Sequence, residues 1–232
     1  LLEIDDIMKT IGILGGMSWE STLEYYRIIN EKAKEKLGGD HSAELVMFSF
    51  DFYEIVKKQE EDRWDELEDK MVRVSLGIKD AGADFLIICA NTMHKVADGV
   101  EERTELPILH IAEAVGEKVE EQGLKKVGLI GTRYVMEMDF YKDILDNFFD
   151  IELIIPEEEG KQKVHDIVYK ELCRGIQKEE SKQELLDIIN NLMDRGAEGV
   201  ILGCTEIPLI INEMDLDIPT FDTMRLHAEA AV

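Results

Sequence analysis

The sequence predicts an α/β fold of two similar lobes, each a parallel sheet flanked by helices, related by a pseudo-two-fold axis with the functional site in the cleft between them. Three observations carry this expectation. Apolar runs of strand length alternate with longer stretches of helical periodicity. The runs are apolar on both faces, as strands covered by helices are. The second half of the chain also repeats the first, in the same order and at nearly constant offset.

Taken in order, the expected strands are 9–14 (KTIGIL), 44–49 (ELVMFS), 84–89 (DFLIIC), 107–110 (PILH), 126–131 (KVGLIG), 151–155 (IELII), 199–204 (GVILGC) and 218–222 (IPTFD). Between them, amphipathic helices are expected over 19–37, 61–81, 112–123, 140–149, 163–176 and 182–196. The repeat aligns KTIGILGG with KKVGLIGT, DAGADFLIICANT with DRGAEGVILGCTE, and LPILH with DIPTFD. Gly12 to Gly128 is an offset of 116, Gly82 to Gly196 of 114, and Pro107 to Pro219 of 112. These anchors divide the chain into a first lobe over 8–106, a second over 107–222, and a terminal helix over 223–232 packing back on the first lobe. Met8 directly precedes the first strand pattern, so residues 1–7 read as either an upstream extension or an expression remnant.

Composition bounds the function. The chain has 232 residues, 45% of them hydrophobic, enough to build real cores. Its 51 acidic against 26 basic residues give a net charge of −25, which opposes nucleic acid and anionic membrane surfaces as partners. No apolar run approaches the roughly 20 residues of a membrane span, and the N-terminus lacks a secretory pattern, so a cytoplasmic location is expected. Cys89, Cys173 and Cys204 fit neither a disulfide framework nor metal-ligand spacing. At least one of them is therefore a candidate for a working thiol.

Ligands of open parallel sheets collect beyond the carboxyl ends of the strands. The repeat pairs Ala90 with Cys204, each at the end of its lobe's third strand and the start of a helix, so the two are expected to face each other. Acid/base groups on opposite sides of one carbon are what inversion of a stereocentre needs. A thiolate at a helix N-terminus would have its pKa lowered, which suits Cys204. A free cysteine taken alone is more often a small buried apolar residue; its position at a repeat-related strand end favours the working role.

Other candidates line the same strand ends. Gly15-Gly16-Met17-Ser18 offers backbone N–H groups and a hydroxyl to a carboxylate, and Ser18 can equally be a plain helix N-cap. Asn91, Thr92, Thr132 and Thr205 are polar groups at helix starts whose donors could hold a carboxylate. For a side-chain carboxylate the candidates are Gln59, Lys161 and Lys163, each of which could also be ordinary solvated surface. His94 reads as a packed or capping residue. Cys89 is one position before Ala90 on a strand, so its sulfur should point into the lobe.

Taken together, GGMSWEST (15–22), NTMH (91–94) and GCTEIPL (203–209) resemble the aspartate/glutamate racemase family of cofactor-independent amino-acid racemases, over essentially the whole chain from Met8. The resemblance implies two α/β lobes enclosing a cleft, a cysteine from each acting on the α-carbon without pyridoxal phosphate, no metal, an acidic amino acid or small dicarboxylate as substrate, and a homodimer. It favours Gln59 and Lys163 for the side-chain carboxylate. The family's second cysteine falls on Cys204; its first falls on Ala90, whose methyl carries no proton. Three accounts stay open: a member whose first base was replaced, as in relatives with threonine there; a deliberate substitution; or a relative using Cys204 alone, as related decarboxylases do. Outside the enzymes, a binding protein that has lost turnover would fit the same residues.

Overall fold

A computed structural model of the chain describes residues 8–211 and 213–232; the expected extension or remnant over 1–7 lies outside them. Two compact units emerge, one built from residues up to 89 with 96–109 and 231–232, the other from 90–95 with 110–230.

In the first unit, β1 (Ile11–Gly15) is buried along its whole length, which is why its IGILG carries no polar side chain. It feeds through the Gly15–Ser18 turn into α1 (Trp19–Leu37), which Ser18 caps by accepting the Ser21 N–H. Gly16 sits at φ 84° with its Cα against the Phe50 backbone, where a Cβ would lie 2.4 Å from the Phe50 carbonyl oxygen. Only glycine makes that turn. The chain continues through β2 (Leu45–Ser49), α2 (Phe52–Glu60), α3 (Trp64–Asp80), β3 (Phe85–Ile88) and α4 (Ala97–Thr104). The sheet is parallel, in the order β2-β1-β3. The expected strand at 107–110 shrinks to a single parallel bridge from Ile108 to Leu86. Against the expectation of strands covered on both faces, β2 is half-buried at best, because it is the sheet's edge.

The second unit runs α5 (Ile111–Glu121), β4 (Lys126–Gly131), α6 (Arg133–Glu137), α7 (Asp139–Phe149), β5 (Glu152–Ile154), α8 (Glu158–Lys170), α9 (Glu179–Asp194), β6 (Val200–Gly203), β7 (Thr220–Asp222) and α10 (Thr223–Ala230). Its sheet is parallel, ordered β5-β4-β6-β7. The apolar side chains of β4 and β6 meet Val115, Leu145, Val164 and Ile189 in one core; each such side chain is worth about 1.5–3 kcal/mol when fully buried. Buried Thr223, Met224, His227 and Ala228 form one face of α10, which packs on α5 and against β6 and β7. This corrects the expected docking of the terminal helix on the first lobe: its apolar face matches α5, and only residues 231–232 group with the first unit.

The two sheets share one wiring, and the ladders reproduce the repeat. Gly12 lies opposite Leu86, and Gly128 opposite Val200; Leu86 bridges Ile108, and Val200 pairs with Thr220. The equivalent positions are therefore 116, 114 and 112 apart, the offsets carried by the three sequence anchors. Gly82 and Gly196 each end a helix at positive φ, 101° and 97°. Among the described residues no helix is long and apolar enough to cross a membrane.

Candidate active site

Cys204 comes directly after the last residue of β6, and its neighbours Thr205 and Glu206 are as buried as it is. The thiol donates to Glu206 Oε2 at 3.0 Å, and the Thr205 hydroxyl donates to the same oxygen at 2.9 Å. Burial, then the Glu206 carboxylate and Cys173, push the Cys204 thiol well above the ordinary cysteine range; only the Glu206 backbone N–H pulls the other way. The expected lowering at a helix N-terminus is thus corrected. Beyond Cys204 the chain makes a 3-10 turn over Ile207–Leu209, too short for aligned peptides to build a useful positive end, and a carboxylate sits one hydrogen bond from the sulfur.

Ala90 likewise precedes a 3-10 turn, Thr92–Val96, rather than an α-helix. Although it comes just after β3, the stretch 90–95 belongs to the unit that carries Cys204, which moves the expected lobe boundary. The fastenings are explicit. The Asn91 amide Nδ2 donates to Thr223 Oγ1 at 2.9 Å, and that hydroxyl donates to the Leu202 carbonyl on β6, also at 2.9 Å. Because the Thr223 hydrogen is committed to Leu202, its oxygen accepts from Asn91, and Asn91 Oδ1 is left buried with no hydrogen-bond partner. The Thr92 and Thr132 hydroxyls meet at 2.9 Å, and Thr132 accepts the Val135 N–H as N-cap of α6. His165 Nδ1 accepts the neighbouring Arg133 N–H at 3.3 Å. The unit therefore carries the candidates Ala90, Asn91, Thr92, Thr132, Cys204 and Thr205, at the carboxyl ends of β4 and β6 and on the 90–95 segment tied to them.

Of the first unit's candidates, Met17, Ser18 and Gln59 are all buried. Gln59 shares its buried helix face only with Ile55, one turn earlier in α2. Lys163 is exposed on α8, its ammonium is 3.2 Å from Glu184, and it lines a surface groove of about 830 Å³ among Glu158, Gln162 and Asp166. Lys161 is held by Glu137 and Glu158. Cys89 is fully buried, and burial alone drives its thiol pKa upward.

Residue-level reading of the chain gave Glu206 no role, although the repeat aligns it beside Thr92 and it lies two residues from the thiol. It also missed Thr223, and, although His94 reads as a packed or capping residue, it missed the grouping of His94 with buried His110 and His227, whose ring centroids lie 4.5 Å (His94 to His110) and 5.5 Å (His94 to His227) apart. Among the described residues these rings form no group able to hold a metal ion.

Comparison with known proteins agrees with this architecture. A crystal structure from Yersinia pestis, of a protein assigned to the Asp/Glu racemases, matches at 45% identity and TM-score 0.90 over 97% of each chain. An aspartate racemase homologue from Pyrococcus horikoshii OT3 matches at 34% identity and TM-score 0.82, again over 97% of each. The broad specificity amino-acid racemase RacX of Bacillus subtilis (strain 168) is 20% identical over 96% of both chains. The family model of the Asp/Glu/hydantoin racemases matches residues 14–231, and the chain belongs to that family.

Proposed function

We propose that this chain moves the α-proton of an acidic amino acid, aspartate or glutamate, without a cofactor, using Cys204 on one face of the α-carbon. The observation that carries the reading is the buried thiol donating to Glu206. Glu206 takes the thiol proton as the sulfur takes the α-proton, so no isolated thiolate has to persist in a buried site. The reverse transfers return the proton to carbon. Ala90, at the repeat-related position, has no proton to give from the other face, so inversion is slow while exchange at one face persists.

The unpaired Asn91 Oδ1 favours an amino acid over a nitrogen-free dicarboxylate. A buried acceptor without a donor costs about 1–3 kcal/mol, and a substrate ammonium supplies the missing donor. Thr92 and Thr132 supply the carboxylate-binding hydroxyl of this reading, because only one of their two hydrogens is used between them, whereas Thr205 donates its own to Glu206. Met17, Ser18 and Gln59 remain the first unit's substrate-binding candidates, whereas Lys163 is already neutralised by Glu184. Ala90 itself supports the second reading, a single-cysteine isomerase or decarboxylase of a small dicarboxylate, or a binding protein without turnover. A homodimer completes the proposal, supported by the apolar face that Trp19, Leu23 and Tyr26 expose along α1.

Incubating L- and D-aspartate and glutamate in D2O and following α-deuteration by NMR tests the reading. One antipode should exchange with little inversion, Cys204→Ala should abolish the exchange, and Ala90→Cys should raise inversion by about 100-fold. Binding without exchange would favour the binding protein, and turnover of nitrogen-free dicarboxylates alone the decarboxylase. If neither the chain nor Ala90→Cys exchanges any acidic amino acid while remaining folded, the racemase reading fails.

A further inference from the structure

We propose that His94 is a positioning residue for the residue-90 side of the site: it ties the Ala90 carbonyl to the N-terminus of α5 and so fixes residue 90 on the unit that carries Cys204. This rests on the function proposed above.

The two hydrogen bonds of the ring define its state. His94 Nδ1 lies 2.9 Å from the Ala90 carbonyl oxygen, which can only accept, so Nδ1 carries the hydrogen. Nε2 lies 3.2 Å from the Ile111 backbone nitrogen, whose N–H can only donate, so Nε2 offers its lone pair. A neutral ring protonated at Nδ1 is the one form that satisfies both. A charged ring would set two hydrogens against each other at Nε2, and the surroundings oppose charge as well, since His94 is buried between His110 and His227. His110 in turn spends its Nδ1 accepting the Ala112 N–H, so it caps the same helix end that His94 grips. Residue 90 is thereby joined through one rigid imidazole to the first turn of a helix in the second unit.

The repeat makes this role specific to one face. The residue aligned with His94 in the second copy is Pro208, which has no side-chain donor or acceptor, and the Cys204 carbonyl is met by the Ile207 N–H of its own turn. Cys204 follows β6 directly and its carbonyl is met by that turn; residue 90 lies two residues beyond β3 and its carbonyl is met by the imidazole. The other fastenings of the segment, Asn91 to Thr223 and Thr92 to Thr132, act one and two residues later. Misplacement of a reacting group by about 1 Å can cost 100-fold in rate, so loosening position 90 should impair only the transfers made there.

The test uses the full chain carrying Ala90→Cys, in which both faces can react. Adding His94→Ala should lower kcat for the antipode deprotonated at residue 90 by about tenfold or more, with KM and the exchange of the antipode deprotonated by Cys204 changed less than about twofold. His94→Asn, whose amide can still donate to the Ala90 carbonyl, should recover most of the loss. Equal losses for both antipodes, or no loss in His94→Ala, overturn the proposal. Long-range 1H–15N spectra of the unsubstituted chain, together with amide exchange of residues 91–94, read the tie without turnover. A neutral Nδ1-protonated ring, and protection lost in His94→Ala, are expected. A charged or Nε2-protonated ring overturns the inference even if racemisation is found, and absence of racemisation alongside the expected spectra removes the functional reading while leaving the tie in place.

Discussion

The hydrogen bond from Cys204 to Glu206 sets the chemistry available to the thiol. A carboxylate beside a sulfur opposes a second negative charge, so it holds the thiol protonated at rest; in the proposed reaction the same carboxylate is the base that receives the proton. Glu206→Gln separates these effects. Removing the charge should lower the Cys204 pKa, because burial remains but repulsion does not, while α-proton exchange should fall by about 100-fold for want of an acceptor. Thiolate absorbance against pH, with Cys204→Ser as the blank for Cys89 and Cys173, gives the first quantity and D2O exchange the second. A thiol that titrates higher or unchanged in Glu206→Gln would mean that the carboxylate is not what raises it.

At the scale of elements, the start of α5 concentrates buried imidazoles, and this gives a defined acid response. Burial, then His227, pushes the His110 pKa down to about 3, and burial with the two neighbouring rings lowers that of His94 as well. Between about pH 6.5 and 3 the unfolded chain therefore binds protons that the folded chain refuses, so stability rises with pH across that window and is lost as the pH falls through it, by up to about 1.4 kcal/mol per pH unit for each histidine. His110→Asn keeps an N-cap that does not titrate. Its urea-unfolding free energy should fall less steeply between pH 6.5 and 4.5 than that of the unsubstituted chain; equal slopes would show that His110 does not contribute to the acid response. The elements differ in how plainly the sequence announces them. Long periodic helices such as α1, α3 and α9, and apolar strands such as β1, β4 and β6, are readable from pattern alone. Helix α2 buries only Ile55 and Gln59, and α4 carries Gly99 and few apolar residues, so neither has a readable period. The helix expected after Cys204 closes into three residues because Pro208 and the tight turn favour i to i+3 bonds. The strand-end positions of the candidate residues were legible through the repeat, as was a packed or capping role for His94. Thr223, 132 residues from Asn91, and the meeting of His94 with His110 and His227 were not, because no local pattern encodes a long-range contact.

Over the whole molecule, the two halves share their wiring and differ at the candidate site. Both sheets keep one strand order and register, yet the second ends in a full strand, β7, where the first has a single bridge, and position 204 carries a thiol where position 90 carries a methyl. The surface diverges too. In the first unit, Trp19, Leu23 and Tyr26 recur at i, i+4 and i+7 along α1, while Met47 and Phe48 on the edge strand β2 are also exposed, Trp19 to 64%. Two copies meeting through such a face would bury apolar surface while bringing together net charges of −25. Hydrophobic burial is short-ranged and insensitive to moderate salt, whereas the repulsion is long-ranged and screened over about 10 Å at 0.1 M. The proposed dimer should therefore tighten as ionic strength rises from a few millimolar to about 0.1 M, as read by sedimentation equilibrium. Trp19→Glu should weaken it at every salt concentration, since it adds a charge to the most exposed residue of the apolar stripe without touching the core. A chain that remains monomeric across that salt range, or a Trp19→Glu variant that associates as tightly as the original, would remove this face as the interface; association that weakens with salt would place the attraction in ion pairs instead.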